Sequence, residues 1–202
     1  MRKSGWISIN DTYDRMLKLV GSGSFLRMEG LGNEVPFFIC PHPVAQSVQV
    51  EKMKKQLVNS LAKKGVRVLD ICLYDLVIEL LKKDNDLEYY LEEEESLPKE
   101  KLKEDLQSIL DVETVLVPAI AQKMAQTEFD VLFLSGVGEV FPYIRSHNVL
   151  NNLQSSAKSQ PTVMFFPGTY THSLESGASL DLFGKLHDDK YYRAFNIFYC
   201  EA

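Results

Sequence analysis

The chain has 202 residues, 45% of them hydrophobic and 25% charged, the composition of an ordinary folded domain long enough to bury a substantial core. Its net charge of −6 argues against a surface that tracks nucleic-acid phosphates, while leaving room for a local basic patch. The N-terminal MRKSGWISIN lacks the apolar core of a secretion signal and no apolar stretch approaches bilayer length, so a cytoplasmic protein is expected.

The first predicted element is a short amphipathic helix over residues 10–20, with Asp11 as candidate N-cap and Met16, Leu17, Leu19 and Val20 on its apolar side. Gly21-Ser22-Gly23-Ser24 ends it. Because this run follows a helix and lacks a Gly-Lys-Ser/Thr sequence, it reads as a turn or helix C-cap rather than a phosphate cradle. Trp6 stands alone near the terminus, to pack on the domain or anchor a partner. Pro36-Phe37-Phe38-Ile39-Cys40 is the first buried strand, ending in Pro41-His42-Pro43, where His42 reads as a rigid turn residue. Val48, Val50, Met53, Leu57, Val58 and Leu61 then mark a long amphipathic helix closed by Lys63-Lys64-Gly65. Val66 to Ile71 is the second strand, and strand, helix, strand at this spacing predicts a right-handed crossover with parallel pairing.

Residues 74–126 are helical and charged, and too long for one crossover helix, so they read as a helical insertion. Leu76 to Leu81 packs on the sheet, Pro98 starts a helix carried by Leu102, Leu106, Ile109 and Leu110, and Pro118 kinks or breaks the next. The acidic run Glu92 to Glu95 reads as a solvated face, set against a docking site for a basic partner.

The chain turns from hydrocarbon to chemistry at residues 128–153, EFDVLFLSGVGEVFPYIRSHNVLNNL. Val131-Leu132-Phe133-Leu134 is a strand buried on both faces, Ser135 to Glu139 the crossing to a helix, and Val140, Ile144 and Leu150 its apolar stripe. Ligands and partners of open α/β sheets collect beyond such strand ends. Pro161 to Phe166 is the fourth strand, followed by a polar loop through Thr169, Tyr170, His172 and Gly177, and Phe195 to Cys200 is the closing strand. Cys40, Cys72 and Cys200 are an odd count without metal-type spacing and read as buried free thiols. The fold class that follows is α/β, a single domain over residues 1–202: three layers around a mostly parallel five-stranded sheet, P-loop-NTPase-like or Rossmann-like, with the 74–126 insertion.

Tests for particular chemistries give little. Where a phosphate loop would follow the first strand stands CPHPVAQS; Pro41 and Pro43 each remove an N–H donor, and neither glycine nor a Lys-Ser/Thr pair is present. Asp75 reads as a helix N-cap before a metal-holding acid. Gly136-Val137-Gly138 lacks the third glycine of a dinucleotide fingerprint, its place taken by Phe141. Ser135 is not in a nucleophile elbow. His172 with His187-Asp188-Asp189 matches no ligand spacing and reads as a solvated loop before a metal or acid/base site. Lys190-Tyr191-Tyr192-Arg193 has the ingredients of nucleic-acid stacking, against core and edge packing as the plainer account. No cofactor, metal or catalytic residue is assigned.

The ordered combination LFLSGVGEVFPYIRSHNVLNNLQ, PTVMFFPGTY and SLDLFGKLHDDKYYRAFNI resembles the BrxB family, a small component of bacterial BREX phage-defence systems. The resemblance covers most of the chain and is densest from Phe129 to Ile197. It implies a protein that acts alongside a large ATPase, an alkaline-phosphatase-like PglZ protein and a DNA methyltransferase, and that bridges subunits such as PglZ and the BrxC-type ATPase. The expectation is therefore a non-catalytic adaptor whose loops 135–147 and 170–193 form one polar surface. Its candidate contacts are Glu139, Arg145, His147, His187, Asp188, Asp189 and Arg193, with Arg145 pairing either a partner's acid or Asp188 or Asp189. A degenerate nucleotide- or metal-dependent enzyme and a nucleic-acid-binding subunit stay open as alternatives.

Overall fold

A computed structural model describes residues 6–30, 35–173, 177–188 and 194–201, with backbone alone for 172, 173, 177, 187 and 188. Five strands form a parallel sheet: β1 (Phe37–His42), β2 (Val68–Cys72), β3 (Val131–Ser135), the first part of β4 (Thr162–Ser173) and β7 (Ala194–Asn196). Their order is β2-β3-β4-β1-β7. The apolar runs explain the centre, since every residue of β1 and β3 is buried and only a strand covered on both faces uses such a run. β1 and β2 are parallel as predicted but are not neighbours; β4 and β3 lie between them. A crossover fixes direction and hand, whereas adjacency depends on later strands: β1 pairs with β4 (Phe37 with Thr162) and β2 with β3 (Val68 with Val131).

Helices cover both faces. Helix α1 (Ile9–Val20), the short α2 (Gly23–Leu26) and α3 (Ser47–Lys63) lie on one, with Met16, Leu19, Val50, Met53, Leu57 and Leu61 packed on Phe38, Cys40, Phe133 and Phe165. On the other lie α4 (Leu73–Lys83), α5 (Asp86–Glu93), α6 (Lys99–Ile109), a π-helical turn (Val112–Leu116), α7 (Val117–Gln126) and α8 (Ser146–Leu153), over Phe37, Ile39, Leu132, Leu134, Met164 and Phe166. Among the described residues no helix is long and apolar enough to cross a membrane.

The ends of these elements differ from the sequence reading in instructive ways. The cap of α1 is Ser8, whose Oγ accepts the Asp11 N–H at 3.1 Å while its hydroxyl donates to the Asp11 carboxylate at 2.6 Å. Asp11 is thus the acidic return partner of a capping-box-like pair, not the cap. Gly21 is the C-cap as expected, and Ser22 caps α2. Val48 lies on no apolar stripe: it is 67% exposed. Pro118 stands in the first turn of α7, directly after the π-helical turn. Val140 and Ile144 are buried at helical spacing without a helix; residues 137–143 are turns and α8 begins only at Ser146. Pro142, with no N–H to give, interrupts a helix there.

The segment expected as a polar loop from Tyr170 is strand. β4 continues to Ser173 and pairs antiparallel with β5 (Gly177–Leu182), which pairs with β6 (Leu186–Asp188). Tyr170 is buried and donates its hydroxyl to Ala194 O at 2.6 Å, tying this extension to β7. Gly168 is required where β4 passes β5, because a Cβ there would lie 2.2 Å from Asp181 O. The closing strand is shorter than expected: after Asn196 the chain makes a 3-10 turn (Ile197–Tyr199) capped by the Asn196 side chain, which accepts the Phe198 N–H. Arg15 of α1 donates to Phe198 O and Cys200 O, fastening that turn to the domain.

Candidate functional site

Because β1, β2, β3 and β4 run parallel, their carboxyl ends open at one edge of the sheet. From β1 the chain leaves for α3 on one face; from β2 and β3 it leaves for α4 and α8 on the other. This divergence opens a crevice of about 470 Å³, bordered by His42, Ser47 and Glu51 on one side and Cys72, Asp75, Ser135 and Glu139 on the other.

Beneath it lies a buried charge that sequence reasoning missed. Lys54 projects from the inner face of α3 and is 1% exposed. Its Nζ donates to Asp70 Oδ1 of β2 at 2.8 Å and to Ser135 Oγ of β3 at 2.6 Å, and lies 3.3 Å from Glu51 Oε2 one turn back on α3. Two hydrogen bonds and a further carboxylate one turn back thus engage the ammonium. The cluster ties helix α3 to two strands of the sheet through their charged and polar groups. Two signals were in the sequence: Lys54 shares the helical period of Val50, Met53, Leu57 and Leu61, and Asp70 interrupts an otherwise apolar strand.

The crevice rim has its own chemistry. His42 is not a turn residue but the buried last residue of β1. Its Nδ1 lies 3.2 Å from Pro43 O, so Nδ1 carries the proton and donates, leaving Nε2 as an acceptor. Burial pulls its pKa below the ordinary histidine value, with the Pro43 hydrogen bond acting the other way. The ring of Trp6 packs against His42 and edge-on against Phe198, so the terminal tryptophan is part of the domain. Cys72, half-buried rather than buried, occupies the N-cap position of α4. Burial pushes its thiol up, while the backbone N–H groups of Asp75 and Tyr74 draw it back. Asp75 is thus in the first turn of α4 and not its cap. Cys40 is buried with its pKa pushed up to about 12 by desolvation, and Cys200 is half-buried after the 3-10 turn. Gly136 has φ +75°, and a Cβ there would lie 2.8 Å from Cys72 Sγ and 2.9 Å from the Tyr74 nitrogen, so this turn admits only glycine without a shift of backbone.

Between β1 and α3 stand only Pro43 and a single 3-10 turn (Val44–Gln46), with the Ser47 hydroxyl donating back to Val44 O at 2.9 Å. The serine that would face a magnesium ion in a phosphate loop is turned onto its own backbone.

Of the candidate contact residues, Glu139, Arg145 and His147 have described side chains. Glu139 is exposed on the crevice rim. Arg145 is the exposed N-cap residue of α8, its guanidinium 5.6 Å over the Phe141 ring, and Phe141 stacks edge-on against Phe183. Turn 137–143 and the β5–β6 turn therefore do meet, through aromatic rings. His147 lies half-buried in the first turn of α8. His187 and Asp188 belong to β6 and are described by backbone alone; Asp189, Lys190 and Arg193 lie outside the described residues, and the expected pairing of Arg145 with Asp188 or Asp189 and the basic-aromatic segment fall with them. Among the described residues no group of three His, Cys, Asp or Glu is placed to hold a metal ion.

These features define an α/β protein with a mostly parallel sheet and a crevice at its carboxyl edge, a class that fixes a place for recognition without fixing a reaction. Residues 69–197 match the family model described as BREX protein BrxB. The chain is 33% identical over 196 residues to a BREX protein BrxB of Bacillus cereus (strain H3081.97), covering 94% of this chain and 97% of that one. It is 29% identical over 178 residues to a BREX protein BrxB of Escherichia coli O9:H4 (strain HS), covering 88% and 86%. The chain belongs to the BrxB family. No solved structure gives a significant match.

Proposed function

We propose that this BrxB-family chain serves phage defence as a non-catalytic adaptor of a BREX system, bridging larger subunits such as a PglZ-type protein and a BrxC-type ATPase. The observation that carries the reading is the Lys54 cluster. The strongest polar groups at the strand ends, an ammonium, two carboxylates and the Ser135 hydroxyl, are engaged with one another and brace α3 against β2 and β3. Beside the cluster, Glu139 is exposed on the crevice rim and Arg145 is exposed at the start of α8, side chains suited to recognition.

The test is co-purification of the tagged chain from cells that express the complete defence locus, with cross-linking to identify direct contacts. Glu139→Lys and Arg145→Glu should each remove a BREX subunit from the purified complex while leaving the isolated chain folded. Recovery of the same subunits with both variants would overturn the assignment of this surface, and recovery of none with the wild type would overturn the adaptor role. ATP with magnesium should leave the melting temperature unmoved; stabilisation would return the crevice to nucleotide chemistry.

A further inference from the structure

The described surface carries an apolar groove that the crevice does not explain. It runs between α4, α5, α6 and turn 137–143, with a volume of about 250 Å³, and its walls include Val77, Leu81, Tyr90, Leu102 and Leu106. Two large apolar side chains line it in the open, Leu91 at 66% exposed and Tyr74 at 46%, and Tyr89, 54% exposed, meets the groove's Tyr90 edge-on at 5.1 Å. Exposed singly such residues mean little, but clustered along one groove they mark a contact surface.

The electrostatics around it are one-sided. Residues 84–105, which form α5, α6 and their connection, hold ten carboxylates and three lysines, a net −7 against −6 for the whole chain, so every other residue together sums to +1. One of those lysines, Lys101, is bound to Asp105 at 2.6 Å. Glu94 and Glu139 stand in the groove wall itself. The Tyr90 phenol is pushed up by burial and then by the Asp105 and Asp86 carboxylates, the sign of a negative field inside the groove.

We infer that this groove docks a basic amphipathic helix of a partner protein, its apolar residues at i, i+3 or i+4 and i+7 entering the groove and its lysines or arginines meeting the acidic rim. The walls are helices and a turn and offer no free strand edge, so the helix-in-groove mode applies and strand addition does not. A second copy of this chain would bring −7 against −7, and an anionic lipid surface or a nucleic acid would be repelled likewise. The inference rests on the adaptor reading only for the existence of a partner.

The experiment is peptide binding to the full chain by calorimetry, using a synthetic leucine–lysine peptide patterned as an amphipathic helix and a leucine–glutamate peptide of the same pattern. The lysine peptide should bind, more weakly as salt rises, and the glutamate peptide should not. Leu91→Asp should weaken lysine-peptide binding at least tenfold with an unchanged melting temperature, because the residue is exposed. The sign of this effect is decisive. Attraction to acidic charge in general would be strengthened by the added aspartate, whereas docking in the groove is weakened by it. Equal binding of the two peptides, no binding, or binding undiminished in Leu91→Asp would overturn the inference, and none of these bears on subunit co-purification, which judges the adaptor reading separately.

Discussion

Removing Asp70 tests whether the cluster under the crevice braces the sheet. In Asp70→Ala the Lys54 ammonium, its side chain 2% exposed, keeps the Ser135 hydroxyl at 2.6 Å and a Glu51 carboxylate at 3.3 Å that is 42% exposed. Breaking a fully buried pair from one side costs about 3–5 kcal/mol. The retained Glu51 and the 28% exposure of the Asp70 side chain place this case near the lower end, at roughly 3 kcal/mol. For a chain of this size the melting temperature should fall by roughly 6–12 °C. The double variant Lys54→Met/Asp70→Leu removes both charges and leaves Ser135 to find water at the crevice floor and Glu51, 42% exposed, to the solvent. It should recover most of the loss, since an ion pair and its apolar replacement differ little in net stability. Urea unfolding of wild type, Lys54→Met, Asp70→Leu and the double variant gives the coupling, expected to exceed about 1 kcal/mol. Near-neutral Asp70→Ala, or strictly additive effects in the double variant, would refute the bracing role.

Trp6 is the single tryptophan and packs on His42, so its fluorescence should report protonation of that imidazole with a midpoint below the ordinary value of about 6.5, lost in His42→Gln. Because the folded pKa is lowered, the unfolded chain binds the proton first. Stability should therefore fall as pH drops below about 6.5 and level off beneath the folded value, a slope absent from His42→Gln. Gly136→Ala should destabilise by more than about 1 kcal/mol, measured by denaturant unfolding, since it combines positive φ with contact at Cys72 Sγ and Tyr74 N; an unchanged midpoint would mean the turn moves freely. Asp130 is held below the usual carboxylate range by hydrogen bonds from Arg67, so its contribution is present above about pH 4 and lost as pH falls through the lower folded value. Arg67→Gln should flatten that acid limb in a stability–pH series.

The strands of the sheet centre were legible because a parallel strand covered on both faces must use a continuous apolar run, as Phe37 to Cys40, Val131 to Leu134 and Val163 to Phe166 do. The helix α3 was legible from its period and its Lys63-Lys64-Gly65 end. Lys54 was not, although it holds the same period, because a charged side chain on a helix is read as marking the wet face. Only the position of Asp70 and Ser135 on the facing strands makes its burial affordable, and those lie 16 and 81 residues away. The β5–β6 extension was hidden for a related reason. Tyr170, Ala178, Leu180 and Leu182 alternate as strands do, but among Thr, Ser and Asp they resemble loop composition. At the candidate surface the sequence located Glu139 and Arg145 on one turn-and-helix entry, while the aromatic contact that joins that turn to Phe183 depends on the unforeseen hairpin.

The crevice and the groove are adjoining surfaces. Tyr74 and Glu139 border both, and α4 begins at the crevice with Cys72 as its cap and walls the groove with Val77 and Leu81. A bridging protein with two well-separated faces binds its partners independently, whereas one whose faces share a wall does not. Here the Glu139 carboxylate borders both surfaces, so a cation bound from one side weakens the negative charge offered to the other, and a partner that leaves it free imposes no such conflict. The rigid support under the crevice, α3 fastened to β2 and β3 through Lys54, keeps the crevice side of that wall fixed, so accommodation falls to turn 137–143 and to α5. Neither is held by a buried helix face: α5 has no fully buried residue, and the turn keeps Val137, Val140 and Ile144 buried without a helix to hold them. Local stability follows buried contacts, which places the adjustable part of the surface where the partner would press and the stiff part where the sheet ends.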